Sequence, residues 1–196
     1  TFERAISIQP NNLNAQFNLG LALKQQCNFE GAITALEKAI ALQPSHPEAL
    51  YNLANILKIQ GKFERAVSTY QKALELNPNS AGMLSNLGIA LHGQGNINAA
   101  IDSFQKAISI DPGFAQAHSN LGLALQLKGD HEAAITSYQK AISLQYNYPE
   151  AHTNLAMTLL LVGDYVRGWQ EYEWRMRTTT VEELLNASPK GCLLYT

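Results

Sequence analysis

The chain reads as all-α, an array of repeated helix-turn-helix units, and three observations carry that reading. The pattern of Ala115 to Leu144, AQAHSNLGLALQLKGDHEAAITSYQKAISL, returns when the frame is shifted by 34 residues in either direction. Within each unit the apolar residues fall at spacings of three and four. Ala117, Leu121, Ala124 and Leu125 share one helical face, and Ala134, Ile135, Tyr138, Ala141 and Ile142 share another. Between the two faces stands Gly129, where a left-handed cap fits, followed by Asp130, which can cap the second helix. An elongated array rather than a globular domain is expected.

Taken in order, Thr1 to Asn12 matches the second helix of a unit, so the array starts half a repeat in (residues 1–12). Four full repeats follow at 13–46, 47–80, 81–114 and 115–148, and a fifth, atypical one at 149–177. Each gives two helices of about 13 residues, roughly 20 Å long. Gly20, Ala54, Gly88, Gly122 and Ala156 are small where helices approach, with Ala32, Ala66, Ala100 and Ala134 expected to face them. Leu36, Tyr70, Phe104, Tyr138 and Tyr172 are expected to fill a wider gap further on. Pro10, Pro44, Pro78 and Pro112 close repeats because proline cannot continue a helix, and Tyr146 takes that place once. Pro47 and Pro149 instead open helices, where a missing N–H costs nothing.

Two positions depart from the pattern. Cys27 replaces the turn glycine, so strain at a left-handed position predicts an altered turn there. Arg175 stands where Ala39, Ala73, Ala107 and Ala141 offer a small surface to the next repeat, so no ordinary repeat is expected beyond it. Trp169 and Trp174 on the last helix are expected to cover the open end of the core. After Arg177 the periodicity stops, and Thr180 with Glu183 suggests a short capped helix over 181–187 within the tail 178–196.

Composition narrows the functions. Charged residues are 15% of the chain and the net charge is −2, which gives no electrostatic footprint for nucleic acid or an anionic membrane. There is no run of 18 apolar residues and no signal sequence, and the two cysteines, Cys27 and Cys192, lie near opposite ends, so a reducing, cytoplasmic setting is the simplest expectation. Because the chain opens at Thr1 inside a helical pattern, it is read as a piece of a longer protein. No nucleophile, base or metal set converges on one place, so neither catalysis, a cofactor nor a metal is expected. His118 and His152 recur at one repeat position and are read as packing residues, while His46, His92 and His131 each stand alone. Asn186 in NAS is a glycosylation acceptor by pattern, with Pro189 following and no export signal to bring it into use.

The run ALYNLANILKIQGKFERAVSTYQKALELNP, Ala49 to Pro78, resembles the tetratricopeptide repeat family, and the likeness extends from Thr1 to about Arg177. The resemblance implies antiparallel helix pairs stacked into a right-handed superhelix, an α-solenoid, with first helices lining a concave groove. Frames such as AHSNLG with AISL are similar to those of the repeat arm of O-GlcNAc transferase.

The candidate site is a ladder: Asn18, Asn52, Asn86, Asn120 and Asn154 each precede the leucine and small residue of a first helix. Asparagine has no propensity reason to recur within helices, and a carboxamide offers a donor and an acceptor, the complement of an extended backbone. The competing reading is that each asparagine only fixes repeat stacking. Beside the ladder run Leu21, Asn55, Ile89, Leu123 and Met157; one turn along run Lys24, Lys58, His92, Gln126 and Leu160. The groove therefore goes from basic to apolar, with Leu123, Leu127, Met157, Leu160 and Leu161 forming an apolar patch. Chaperone-binding members of the family need lysine before the asparagine, where this chain has Phe17, Tyr51, Ser85, Ser119 and Thr153. The main reading is a noncatalytic protein-protein interaction module that holds an extended peptide segment through Asn18, Asn52, Asn86, Asn120, Asn154, Lys24, Lys58, Leu123 and Met157. A second is the substrate-recruiting arm of a larger glycosyltransferase, and a third is self-assembly through exposed terminal repeats.

Overall fold

The structure, a computed structural model, describes residues 12–174. The expectations for the half repeat before Asn12, for Arg175, for Cys192 and for the tail lie outside the described residues. Among the described residues the chain is entirely helical apart from its turns, with ten α-helices and no strand.

The helices divide into two compact units, one running to Pro112 and the other starting at Gly113. Unit 1 holds α1 (Leu13–Gln25), α2 (Phe29–Leu42), α3 (Pro47–Ile59), α4 (Phe63–Leu76), α5 (Ala81–Gly93) and α6 (Ile97–Ile110). Unit 2 holds α7 (Ala115–Lys128), α8 (His131–Leu144), α9 (Pro149–Leu161) and α10 (Tyr165–Tyr172). Within each unit every helix packs on the next, and first helices of adjacent repeats also touch, α1 on α3, α3 on α5 and α7 on α9.

One turn joins each helix pair. A glycine at the helix end takes a left-handed conformation, after the C-cap at Gly61, Gly95 and Gly163 and as the C-cap itself at Gly129, with φ between 69° and 89°. The following N–H then reaches back to a carbonyl of the last helical turn, as from Lys62 to Leu57 and from Asp130 to Leu125, both at 2.9 Å. Cys27 corrects the expectation of an altered turn. It adopts φ 57°, and Asn28 N–H donates to the Leu23 carbonyl at 2.9 Å, so the turn is kept and the side chain carries the strain. The next helix is capped by its own side chain at Asn28, Asn96, Asp130 and Asp164, each accepting from an N–H three residues on. Among first helices, Asn12, Ser80 and the Nδ1 of His46 do the same.

The core is the seam within each pair. Leu36, Tyr70, Phe104 and Tyr138 are all at most 2% exposed. Leu36, Phe104 and Tyr138 correct the sequence reading in one respect: they do not fill a separate, wider gap but lie directly over the small residue of the first helix. A Cβ added to Gly88 would stand 2.5 Å from the Phe104 ring, one at Gly122 would stand 2.7 Å from Tyr138, and one at Gly20 would stand 2.7 Å from Leu36. In the repeats with Ala54 and Ala156 the seam accommodates a methyl, and both alanines are fully buried. Between repeats of unit 1, Leu50, Ala73 and Met83 form one cluster, so Ala73 does present a small surface to the following helix. In unit 2 an apolar cluster at different register positions joins Ala134, Tyr138, Leu155 and Leu159.

The last pair differs. Helix α10 has eight residues where α2, α4, α6 and α8 have fourteen. Trp174 is buried and its ring stacks flat on His152, with centroids 3.8 Å apart and planes within 3°. Trp169 is 59% exposed, so of the two tryptophans only Trp174 closes the core.

Candidate functional site

The asparagines do not form a uniform row of free carboxamides. In unit 1, Lys24 Nζ donates to Asn52 Oδ1 at 3.1 Å, and Lys58 Nζ donates to Asn86 Oδ1 at 2.6 Å. The spacing is 28 residues in both cases, so one repeat's lysine holds the next repeat's asparagine. Each amide nitrogen is held too. Asn52 Nδ2 donates to the Glu48 carbonyl at 2.9 Å, and Asn86 Nδ2 donates to the Tyr51 hydroxyl at 3.1 Å. A carboxamide has two acceptor lone pairs and two N–H donors, so each of these side chains keeps one of each while its orientation is fixed.

The lysines are placed by the first helices. Lys24 and Lys58 lie in the last turns of α1 and α3, where a cation also meets the negative end of the helix dipole. Both are half-buried, and neither has a carboxylate at ion-pairing distance among the described residues. Burial, and then the nearby charge of Lys24, hold the Lys58 ammonium below the usual lysine range. His92, the third member of that row, is half-buried in the last turn of α5.

Behind the asparagines of α3, the Tyr70 hydroxyl donates to Asn55 Oδ1 at 2.6 Å. Burial, with a smaller contribution from Tyr51, pushes the Tyr70 phenol well above its ordinary range, so it stays protonated and can donate this bond. The Tyr51 and Tyr70 rings are tilted at a centroid distance of 6.3 Å. Tyr51 was missed as a site residue, and its signal was its place directly before Asn52.

Unit 2 is arranged differently. Asn120 Nδ2 is buried without a partner, and the Asn154 side chain makes no hydrogen bond among the described residues. Asn18, at the other end of the ladder, is exposed. Gln126 does not project freely, because its Oε1 accepts from Tyr138 at 3.0 Å. Leu160 is half-buried and packs against Gly168 of α10. Leu127, Met157 and Leu161 are exposed at 56%, 55% and 64%, and Leu123 is half-buried. A cluster not foreseen in the sequence lies at the end of unit 2. His152 is bracketed by Glu171 Oε2 on Nδ1 at 2.5 Å and by the Tyr146 carbonyl on Nε2 at 3.0 Å. Tyr146 stands edge-on to both His152 and Trp174. Among the described residues no group of three His, Cys, Asp or Glu could hold a metal, and no helix is long and apolar enough to cross a membrane.

Comparisons with known proteins agree with this architecture. Family models described as Tetratricopeptide repeat match residues 17–81 and 69–102, and one described as TPR repeat matches 93–129 and 127–163. No curated protein matched the chain. Among solved structures, MamA is similar at a TM-score of 0.76 and 25% identity, covering 94% of this chain and 97% of that one. PilF of Pseudomonas aeruginosa has a TM-score of 0.75 and 26% identity over 88% of this chain and 80% of its own. YrrB, described as a TPR protein with an unusual peptide-binding site, has a TM-score of 0.73 and 18% identity, over 95% and 97% of the two chains, which speaks to fold alone. The matched segments overlap without a gap from residue 17 to residue 163, and this chain is a protein of tetratricopeptide repeats.

Proposed function

We propose that the chain is a noncatalytic binding module and that the first-helix face of unit 1 holds an extended segment of a partner protein. The observation that carries this reading is the pair of pinned carboxamides. Asn52 and Asn86 sit one repeat apart, each oriented by a lysine of the preceding repeat, and each retains a donor and an acceptor. Orientation fixed before binding leaves less side-chain entropy to be lost when a backbone docks, which favours affinity. Asn18 and Asn154 fit the same role less well, because no hydrogen bond among the described residues orients them, and Asn120 has its amide nitrogen buried. Leu123 and Met157 would contribute apolar contacts on unit 2. The glycosyltransferase-arm and self-assembly readings gain no support from these contacts or from the relatives found.

The test is the double substitution Asn52→Ala with Asn86→Ala. Peptides selected from an unstructured random library on the unaltered chain are expected to bind the double variant more weakly by roughly 2 to 3 kcal/mol, about 1 to 1.5 for each lost hydrogen bond. Unchanged affinity in a variant that keeps its helical circular dichroism would show that the carboxamides serve repeat stacking alone.

A further inference from the structure

Lys24 and Lys58 form the part of the unit 1 face whose chemistry is least satisfied from within. Each lysine is half-buried, and among the described residues its ammonium is met by a neutral carboxamide oxygen rather than by a carboxylate. Elsewhere in the same unit two cations do find acids, Lys62 with Glu30 at 3.0 Å and Arg65 with Glu37 at 2.6 Å, while Lys38, Lys72 and Lys106 are exposed to solvent. The row beside the asparagines is thus supplied with charge and not with counter-charge, and His92 continues it on α5. Two like charges brought together in partly desolvated positions are a standing cost that an incoming anion removes.

Building on the proposed peptide-binding role, we propose that unit 1 selects extended segments bearing acidic side chains, whose carboxylates settle on Lys24 and Lys58. The spacing argues for a peptide with discrete acids. The two lysines stand at the same position of touching first helices, and packed helix axes lie roughly 8 to 10 Å apart. Extended chain advances about 3.3 Å per residue and alternates its side chains, so carboxylates two positions apart share one side and, about 6.6 Å apart at the backbone, reach the two ammoniums through their side chains. The Asn52 and Asn86 carboxamides, held by these same lysines, then face the intervening backbone, so one segment engages all four side chains.

The experiment is selection of 12-residue unstructured peptides from a random library on the full chain, and in parallel on a Lys24→Met, Lys58→Met variant. The chain is expected to enrich Asp and Glu at pairs of positions two apart, and the variant is expected to lose that enrichment. For one selected peptide, replacing both acids by their amides should weaken binding to the unaltered chain by about tenfold or more, the range of a charge-assisted hydrogen bond. The same replacement should have no more than about twofold effect on the variant. The acidic peptide should also lose affinity in high salt, while its amide twin should not. If the variant does not fold, the amide twin and the salt dependence on the unaltered chain still decide. Peptides that depend on Asn52 and Asn86 but show no excess of acids would overturn this inference and leave the binding role standing. Failure to select any peptide would remove both.

Discussion

The strictest demands are made on single residues where a ring meets a helix backbone. Gly88 lies so close to Phe104 that a Cβ would sit 2.5 Å from the ring, and both belong to the seam of one helix pair. Gly88→Ala is therefore expected to destabilise unit 1 by about 1 to 3 kcal/mol, measured by urea denaturation. Ala54 holds the equivalent place in the 34-residue register and is fully buried, so Ala54→Gly should instead give a smaller loss from backbone entropy, about 0.5 to 1 kcal/mol. Much of this scale was legible, since small residues recurring every 34 positions mark close approach. The partner was not, because spacing along one helix does not say which residue of the next helix stands opposite. Cys27 shows a second limit. A strained residue suggested a changed turn, but the hydrogen bonds of the turn and the packing of two helices outweigh about 1 kcal/mol of strain.

At the scale of elements, helix ends were the most readable feature, because caps and turns are local chemistry. Asn28, Asn96, Asp130 and Asp164 cap the second helices as short polar side chains at that position should. What could not be read was the way α10 is held. Its cap, Asp164, accepts from the backbone N–H of Arg167 at 3.2 Å and from its guanidinium at 2.6 Å. The Arg167 side chain holds the Asp164 carboxyl below its ordinary value of 3.8. A depressed folded value means the cap contributes stability that is present above about pH 3.8 and is lost as the pH falls through the lower, folded value. Acid titration followed by the fluorescence of Trp169 and Trp174 should therefore show the end of unit 2 loosening below pH 4, and Asp164→Asn should flatten that response. The flat stack of His152 on Trp174 joins residues 22 positions apart, one in α9 and one just beyond α10, a contact that no periodicity announces.

At the scale of the molecule, repetition makes a fold easy to recognise and a function hard to assign. The same 34-residue register that identifies tetratricopeptide repeats also makes Asn18, Asn52, Asn86, Asn120 and Asn154 look equivalent. The structure separates them by their neighbours: Asn52 and Asn86 are pinned by lysines, Asn120 is buried at its amide, and Asn154 is unattached among the described residues. Lys24 and Lys58 were visible in the sequence as a basic stretch, but their bonds to the ladder were not, because the pairing crosses from one repeat to the next. The central claim is that Asn52 and Asn86 grip the backbone of an extended partner. The most direct test is a cycle in which a selected peptide carries N-methyl groups at the two backbone amides facing these residues, and binding is measured by calorimetry to the unaltered chain and to the Asn52→Ala, Asn86→Ala variant. The account predicts that N-methylation weakens binding to the unaltered chain by about 2 kcal/mol and has little further effect on the variant. An equal loss on both proteins would contradict it.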